Sequence, residues 1–246
     1  MEVKEENKFI KGKIRSIKPL IIILLTLALL IPISVYTVLY ITEIRIKAKP
    51  TEQPEKIEVT NITDSSSVIS WVTKTVETIG YVNYSNSEDL KNTALDVRDK
   101  DKANGKYYIH YVEITGLSVS STYYYSIIVG GKEYKKSQSE LYEFKTGSTI
   151  SSLSTPQPIK GIVEDPSGSL EDIIIYLYVE KGNFISNKIS TITTNKQYSL
   201  DLSNLRSMDL NNTFTDLNGS SLYILAQGGN RGEGTISTQI LNLAEL

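Results

Sequence analysis

Residues 67–73 read SVISWVT, and the spacing inside this run decides the fold. Ile69 and Trp71 stand two apart with Ser70 between them, which is the period of a strand that turns one face to a core. The period recurs at Ile57 and Val59, at Val82 and Tyr84 in GYVNY, and at Val112 and Ile114 in YVEITGL. Asn, Asp, Ser and Gly fill the turns between these runs. Short alternating strands with one early Trp and no helical period are what two packed antiparallel sheets require.

A second β pattern follows a Ser/Thr-rich linker over residues 148–157. IKGIVEDPSGS supplies a strand and a turn at Asp165–Gly168, and DIIIYLYVE reads as a long buried strand because Ile173, Ile174, Ile175 and Val179 are β-branched. KQYSLDL, SLYILAQGG and GTISTQILNL continue the pattern to the end of the chain. The expected fold is all-β: two tandem antiparallel β-sandwiches, residues 55–147 and 158–246, behind one N-terminal transmembrane helix.

The stretches PEKIEVTNIT, SSSVISWVT, GYVNYS, HYVEITGL, STYYYSIIVGGKEY and YEFKT, within residues 53–147, resemble a fibronectin type III domain. They are most similar to the version at the N-terminus of purple acid phosphatases, with Val119 and Ser121 replacing that version's proline and threonine ahead of Tyr123. The resemblance implies that Tyr123 is a corner tyrosine bonded to upstream backbone and that Trp71 is the core tryptophan. It carries no activity, because the family's metal chemistry belongs to a separate catalytic domain. PIKGIVEDPSG, YLYV and KQYSLDLSNLR likewise resemble carboxypeptidase regulatory-like domains, which are transthyretin-like sandwiches.

From Leu20 to Ile41 the chain reads LIIILLTLALLIPISVYTVLYI without a charge, long enough as a helix to cross roughly 30 Å of hydrocarbon. A transmembrane helix is expected over residues 19–42, with Thr26, Ser34 and Thr37 bonding to its own backbone and Pro32 bending it. A cleaved signal peptide would show a shorter apolar core and an Ala-x-Ala site, and neither is present. Residues 1–18 carry Lys4, Lys8, Lys11, Lys13, Arg15 and Lys18 against Glu2, Glu5 and Glu6. Since only Arg45, Lys47 and Lys49 follow the apolar run, the N-terminus is expected in the cytoplasm and the domains outside, on a stalk of residues 43–54. The lipid bilayer is the first expected partner, and the stalk and linker make the helix a tether for separately folded sandwiches.

The formal charge of −2 and the lack of a basic stripe over residues 51–246 set nucleic acid aside. There is no cysteine, which excludes disulfides and thiolate chemistry. His110 is the only histidine; period two puts it on the same face as Val112 and Ile114, and it is expected to be structural. In DVRDKDKANG, Asp96, Asp99 and Asp101 suggest a calcium loop, but Ala103 stands where the pattern needs Asn, so a solvated hairpin loop is expected. Asn61, Asn83, Asn211 and Asn218 begin N-x-S/T triplets.

No catalytic residue, cofactor or metal site is expected. The one candidate ligand platform is Tyr81 with Tyr124, predicted to face outward on neighbouring strands, against the plainer reading of a cross-strand aromatic pair. The expected function is that of a non-catalytic, membrane-anchored surface protein presenting two modules for adhesion, protein or polysaccharide binding, or spacing. The alternative is an accessory subunit or truncated relative of a surface hydrolase that lacks the catalytic domain.

Overall fold

The computed structural model describes residue 28 and residues 30–37, 52–100, 103–150, 155–164, 172–214 and 217–240. Two units emerge, residues 1–50 and 51–246. In the first, residue 28 and residues 30–37 are helical, the Ser34 hydroxyl donates to the Ile31 carbonyl (2.8 Å), and the Thr37 hydroxyl donates to the Ile33 carbonyl (2.9 Å). Among the described residues no helix is long and apolar enough to cross a membrane. The rest of the expected transmembrane segment, the basic N-terminus and most of the stalk lie outside the described residues.

The second unit is all-β. Its first half contains β1 (Glu55–Thr60), β2 (Ser66–Val72), β3 (Gly80–Ser85), β4 (Asn92–Leu95), β5 (Ile109–Thr115), β6 (Thr122–Val129), β7 (Lys132–Tyr134) and β8 (Tyr142–Lys145). Its second half contains β9 (Pro158–Ile162), β10 (Ile174–Lys181), β11 (Phe184–Ile185), β12 (Ile189–Ile192), β13 (Gln197–Asp201), β14 (Ser221–Gln227) and β15 (Glu233–Gln239). Every strand pairing among the described residues is antiparallel, as the alternating runs predict. The turn expected at Asp165–Gly168 lies outside the described residues.

In the first sandwich, the sheet β1-β2-β5 faces the sheet β4-β3-β6-β7, to which β8 adds through β6. Ile69, Trp71, Val112 and Ile114 meet Val82, Tyr123, Tyr125, Ile127 and Phe144 in one core. Tyr123 is the corner tyrosine, its hydroxyl accepting from the Ser118 N–H at 2.9 Å. The β6–β7 hairpin turns at Gly130 and Gly131, with φ of 58° and 83°, a conformation that side chains disfavour.

In the second sandwich, β10 and β14 are central, flanked by β11 and β12 on one side and β15 on the other, opposite the two-stranded sheet β9-β13. Ile173, Ile175, Leu177 and Val179 point to a core closed by Ile159, Leu200, Leu205 and Leu217.

A third apolar cluster joins the sandwiches. Val68, Val72, Ile109 and Tyr111, on the outward faces of β2 and β5, pack against Ile174 and Tyr176 on the outward face of β10. The sheets therefore stack as four layers, and the sandwiches, expected to fold separately, share an apolar seam. The reason lies in β2 and β10, which carry apolar residues on both faces and need a layer on each side.

Candidate functional site

Polar groups stitch the seam at both ends. At one end the Asn61 side-chain amide donates to the Ser190 carbonyl (2.9 Å) while its oxygen accepts from the Ser190 N–H (2.7 Å), as a strand neighbour would. The Tyr111 hydroxyl donates to the same carbonyl at 2.9 Å, and Ser70 Oγ bonds to the Tyr176 hydroxyl at 2.9 Å. Burial pushes the Tyr111 hydroxyl up to about 12 and raises that of Tyr176 further, so both stay neutral donors. The Asn61 amide nitrogen, first of the four N-x-S/T positions, is thus engaged inside the fold.

At the other end, Arg98 donates from Nε and Nη2 to the two oxygens of Asp96 (2.8 and 2.9 Å) and from Nη1 to Asp172 of the second sandwich (3.1 Å). Burial opposes the guanidinium charge, but the carboxylates of Asp96 and Asp172 more than offset it and hold Arg98 above its usual range. Arg98 also lies over the Tyr107 ring, 3.5 Å from its centroid. Arg231 donates to the Asp172 carbonyl at 2.7 Å.

The DVRDKDKANG stretch is spent on this construction. Asp96 also accepts from the Tyr111 N–H (2.9 Å), and Asp99 accepts from the Gly105 N–H (3.0 Å) and the Tyr107 hydroxyl (2.7 Å). Asp101 lies outside the described residues. No cluster able to hold a metal occurs among the described residues.

His110 sits behind Asp96, stacked on Trp71 with ring centroids 4.7 Å apart. Its Nε2 bonds to Thr78 Oγ1 at 2.9 Å, and its Nδ1 lies 3.8 Å from Asp96, beyond hydrogen-bond range. Hydroxyl, imidazole and carboxylate fall in the order of a nucleophilic triad. All three side chains are buried, though, and the Asp96 oxygens belong to Arg98 and Tyr111. Burial lowers the imidazole to about 4, so the ring is neutral and works as core packing.

Tyr81 and Tyr124 share the outer face of the β3-β6 pair, and both are half-buried. Register separates them: Tyr81 stands opposite Ile128 and Tyr124 opposite Ser85, with the Asn83–Ser126 pair between. Four strand positions correspond to about 13 Å. They share a face, but the pairing does not make them cross-strand neighbours.

Sequence reasoning missed two features, both on the second sandwich. Phe184, Ile185 and Met208 are exposed around an open cleft of about 1050 Å³, floored by Phe214 at the end away from Asp172. The other is β15, exposed at every residue and bonded on one side only among the described residues. A Phe directly after the Gly182-Asn183 turn of the KGNFI hairpin was a legible signal for the first. The second needed the strand order.

Residues 53–146 match the family model described as the N-terminal domain of purple acid phosphatase. No curated protein matches the chain. Among solved structures, a β-sandwich protein from work on computer-based redesign is similar at 22% identity and a TM-score of 0.28, over 39% of this chain and 96% of that one. The first sandwich is therefore a fibronectin III-like β-sandwich related to the N-terminal domain of purple acid phosphatases.

Proposed function

We propose that the chain is a non-catalytic presenting protein, anchored by its apolar run at residues 20–41 and holding two sandwiches outside the membrane as one stiff unit for adhesion or binding. The observation that carries this reading is the seam. Val68, Val72, Ile109, Tyr111, Ile174 and Tyr176 lock two modules that a bare linker would leave free to swing, and a fixed pair of sandwiches is suited to holding a surface at a set orientation. The likeness of PIKGIVEDPSG and KQYSLDLSNLR to carboxypeptidase regulatory-like domains supports the same reading for the second module.

The test uses the full chain expressed in a bacterial membrane. Retention in the membrane after alkaline extraction, with the sandwiches digested by protease added outside, is expected; release by alkali, or protection of the sandwiches in intact cells, overturns the anchored reading. A pull-down against wall polysaccharide and membrane proteins, with the Tyr81→Ala/Tyr124→Ala chain alongside, tests whether the outer β3-β6 face takes part.

The match of residues 53–146 favours a second reading, an accessory to a surface hydrolase. Co-purification of a phosphatase or glycosidase with the full chain would select it over adhesion.

A further inference from the structure

β15 is an edge with few of the devices that keep sheet edges apart, its one charge being Glu233 at its first position. Its sequence EGTISTQ holds neither proline nor lysine, and its register against β14 runs unbroken from Ser221↔Gln239 to Gln227↔Glu233. Among the described residues the opposing sheet has two strands, and Ile236, on the core side beside Ile224, is left 65% exposed. An edge this long and regular, uncovered among the described residues, is a template for another strand.

Ile240 donates its N–H to Ser220 and accepts from Gly219 at its carbonyl, so it points both groups toward the β14 side. At the other end the Gly232 carbonyl accepts from Gly228. Groups alternate along a strand, so Gly234, Ile236 and Thr238 bond to β14, while Glu233, Thr235, Ser237 and Gln239 turn their N–H and C=O to the open edge.

That arrangement is self-complementary. About a twofold axis through Ile236, Glu233 faces Gln239 of a second copy and Thr235 faces Ser237, and each facing pair is of the kind that exchanges two hydrogen bonds. All four outward N–H groups and all four outward carbonyls find partners. Like charges never meet, since Glu233 is the only charge on the strand and lies opposite an amide. Ile236 falls on the axis in a pair without hydrogen bonds, where side chains approach most closely, and meets its own copy.

We infer that β15 is a homotypic docking edge, pairing antiparallel with β15 of a second copy and joining two five-stranded sheets into one. The axis reverses strand direction. Glu233 is bonded to Lys56, next to the start of β1, so the places where the two chains enter their sandwiches lie toward opposite ends of the joined edge. Resting on the anchored reading above, this geometry suits copies carried by two facing membranes.

The experiment uses the full chain, which has no cysteine of its own. Ile236→Cys should give a disulfide-linked dimer under mild oxidation, whereas Phe184→Cys, exposed elsewhere, should not. Thr235→Cys alone should cross-link poorly, yet pair with Ser237→Cys when the two chains are mixed. Ser237→Pro removes an outward N–H while leaving the β14 ladder intact, so circular dichroism should be unchanged. It forfeits two symmetric hydrogen bonds, so association measured by analytical ultracentrifugation should weaken at least about tenfold.

A chain that stays monomeric, a dimer indifferent to Ser237→Pro, or Ile236→Cys cross-linking no better than Phe184→Cys overturns the inference. Vesicles bearing the full chain should cluster, and the Ser237→Pro chain should not cluster them. Edge cross-linking without clustering would reject the facing-membrane arrangement while the edge pairing stands.

Discussion

Gly80 and His110 together show how single residues set the first core. A Cβ on Gly80 would lie 2.6 Å from the Trp71 ring and 2.8 Å from that of His110, so only glycine lets the stacked pair settle against β3. Gly80→Ala should cost about 1–3 kcal/mol by overpacking, read from urea unfolding followed by the fluorescence of Trp71, the only tryptophan. His110 makes stability depend on pH. Its folded value, about 4, lies below the ordinary 6.5, so the unfolded chain takes up the proton first. Its contribution is complete above pH 6.5 and is lost as pH falls from 6.5 to about 4. The loss is on the order of 3 kcal/mol. His110→Phe should flatten that stretch of the stability profile; an unchanged acid slope would show that other groups cause it. Asp96→Asn should destabilise by roughly 3 kcal/mol, because it leaves Arg98 with Asp172 alone as a charged partner. The packing side of His110 was legible, since period two aligns it with Val112 and Ile114. Its company was not: Asp96, Thr78 and Trp71 come from three other segments, and only folding brings them within reach.

At the scale of elements, β2 and β10 are the strands on which both sandwiches depend. Each feeds alternate side chains into its own core and others into the seam, and β10 is bonded to β11, β12 and β14. The hydroxyl of Tyr176 satisfies Ser70 across the seam. Tyr176→Phe would leave Ser70 Oγ buried without that partner, at a cost of about 1–2 kcal/mol measured by chemical denaturation. Tyr176→Phe with Ser70→Ala should recover much of the loss, since no polar group is then stranded. The strands themselves were readable from alternation and β-branched content. That SVISWV and DIIIYLY belong to one seam was not readable, because apolar residues on both faces say only that a second layer exists, never which layer it is.

For the whole molecule, the seam predicts that the two sandwiches unfold together. Trp71 fluorescence, which reports the first sandwich, and far-UV circular dichroism, which reports both, should give coincident urea transitions. Ile174→Asp places a carboxylate in the seam while leaving both sandwich cores intact. The transitions should then separate, and protease should cut within residues 148–157; coincident transitions in this variant would show that the seam does not couple the halves. By itself the sequence determined the all-β class and, through its resemblance over residues 53–147 to the purple acid phosphatase N-terminal domain, the corner role of Tyr123, because local period, turn chemistry and short motifs are written along the chain. The tertiary structure decided the seam, the enclosure of Asp96 and His110, the separation of Tyr81 from Tyr124 and the open edge at β15. Each of these depends on which strands lie side by side and in what register. That choice is made by long-range burial and hydrogen-bond pairing, which no local stretch of residues encodes.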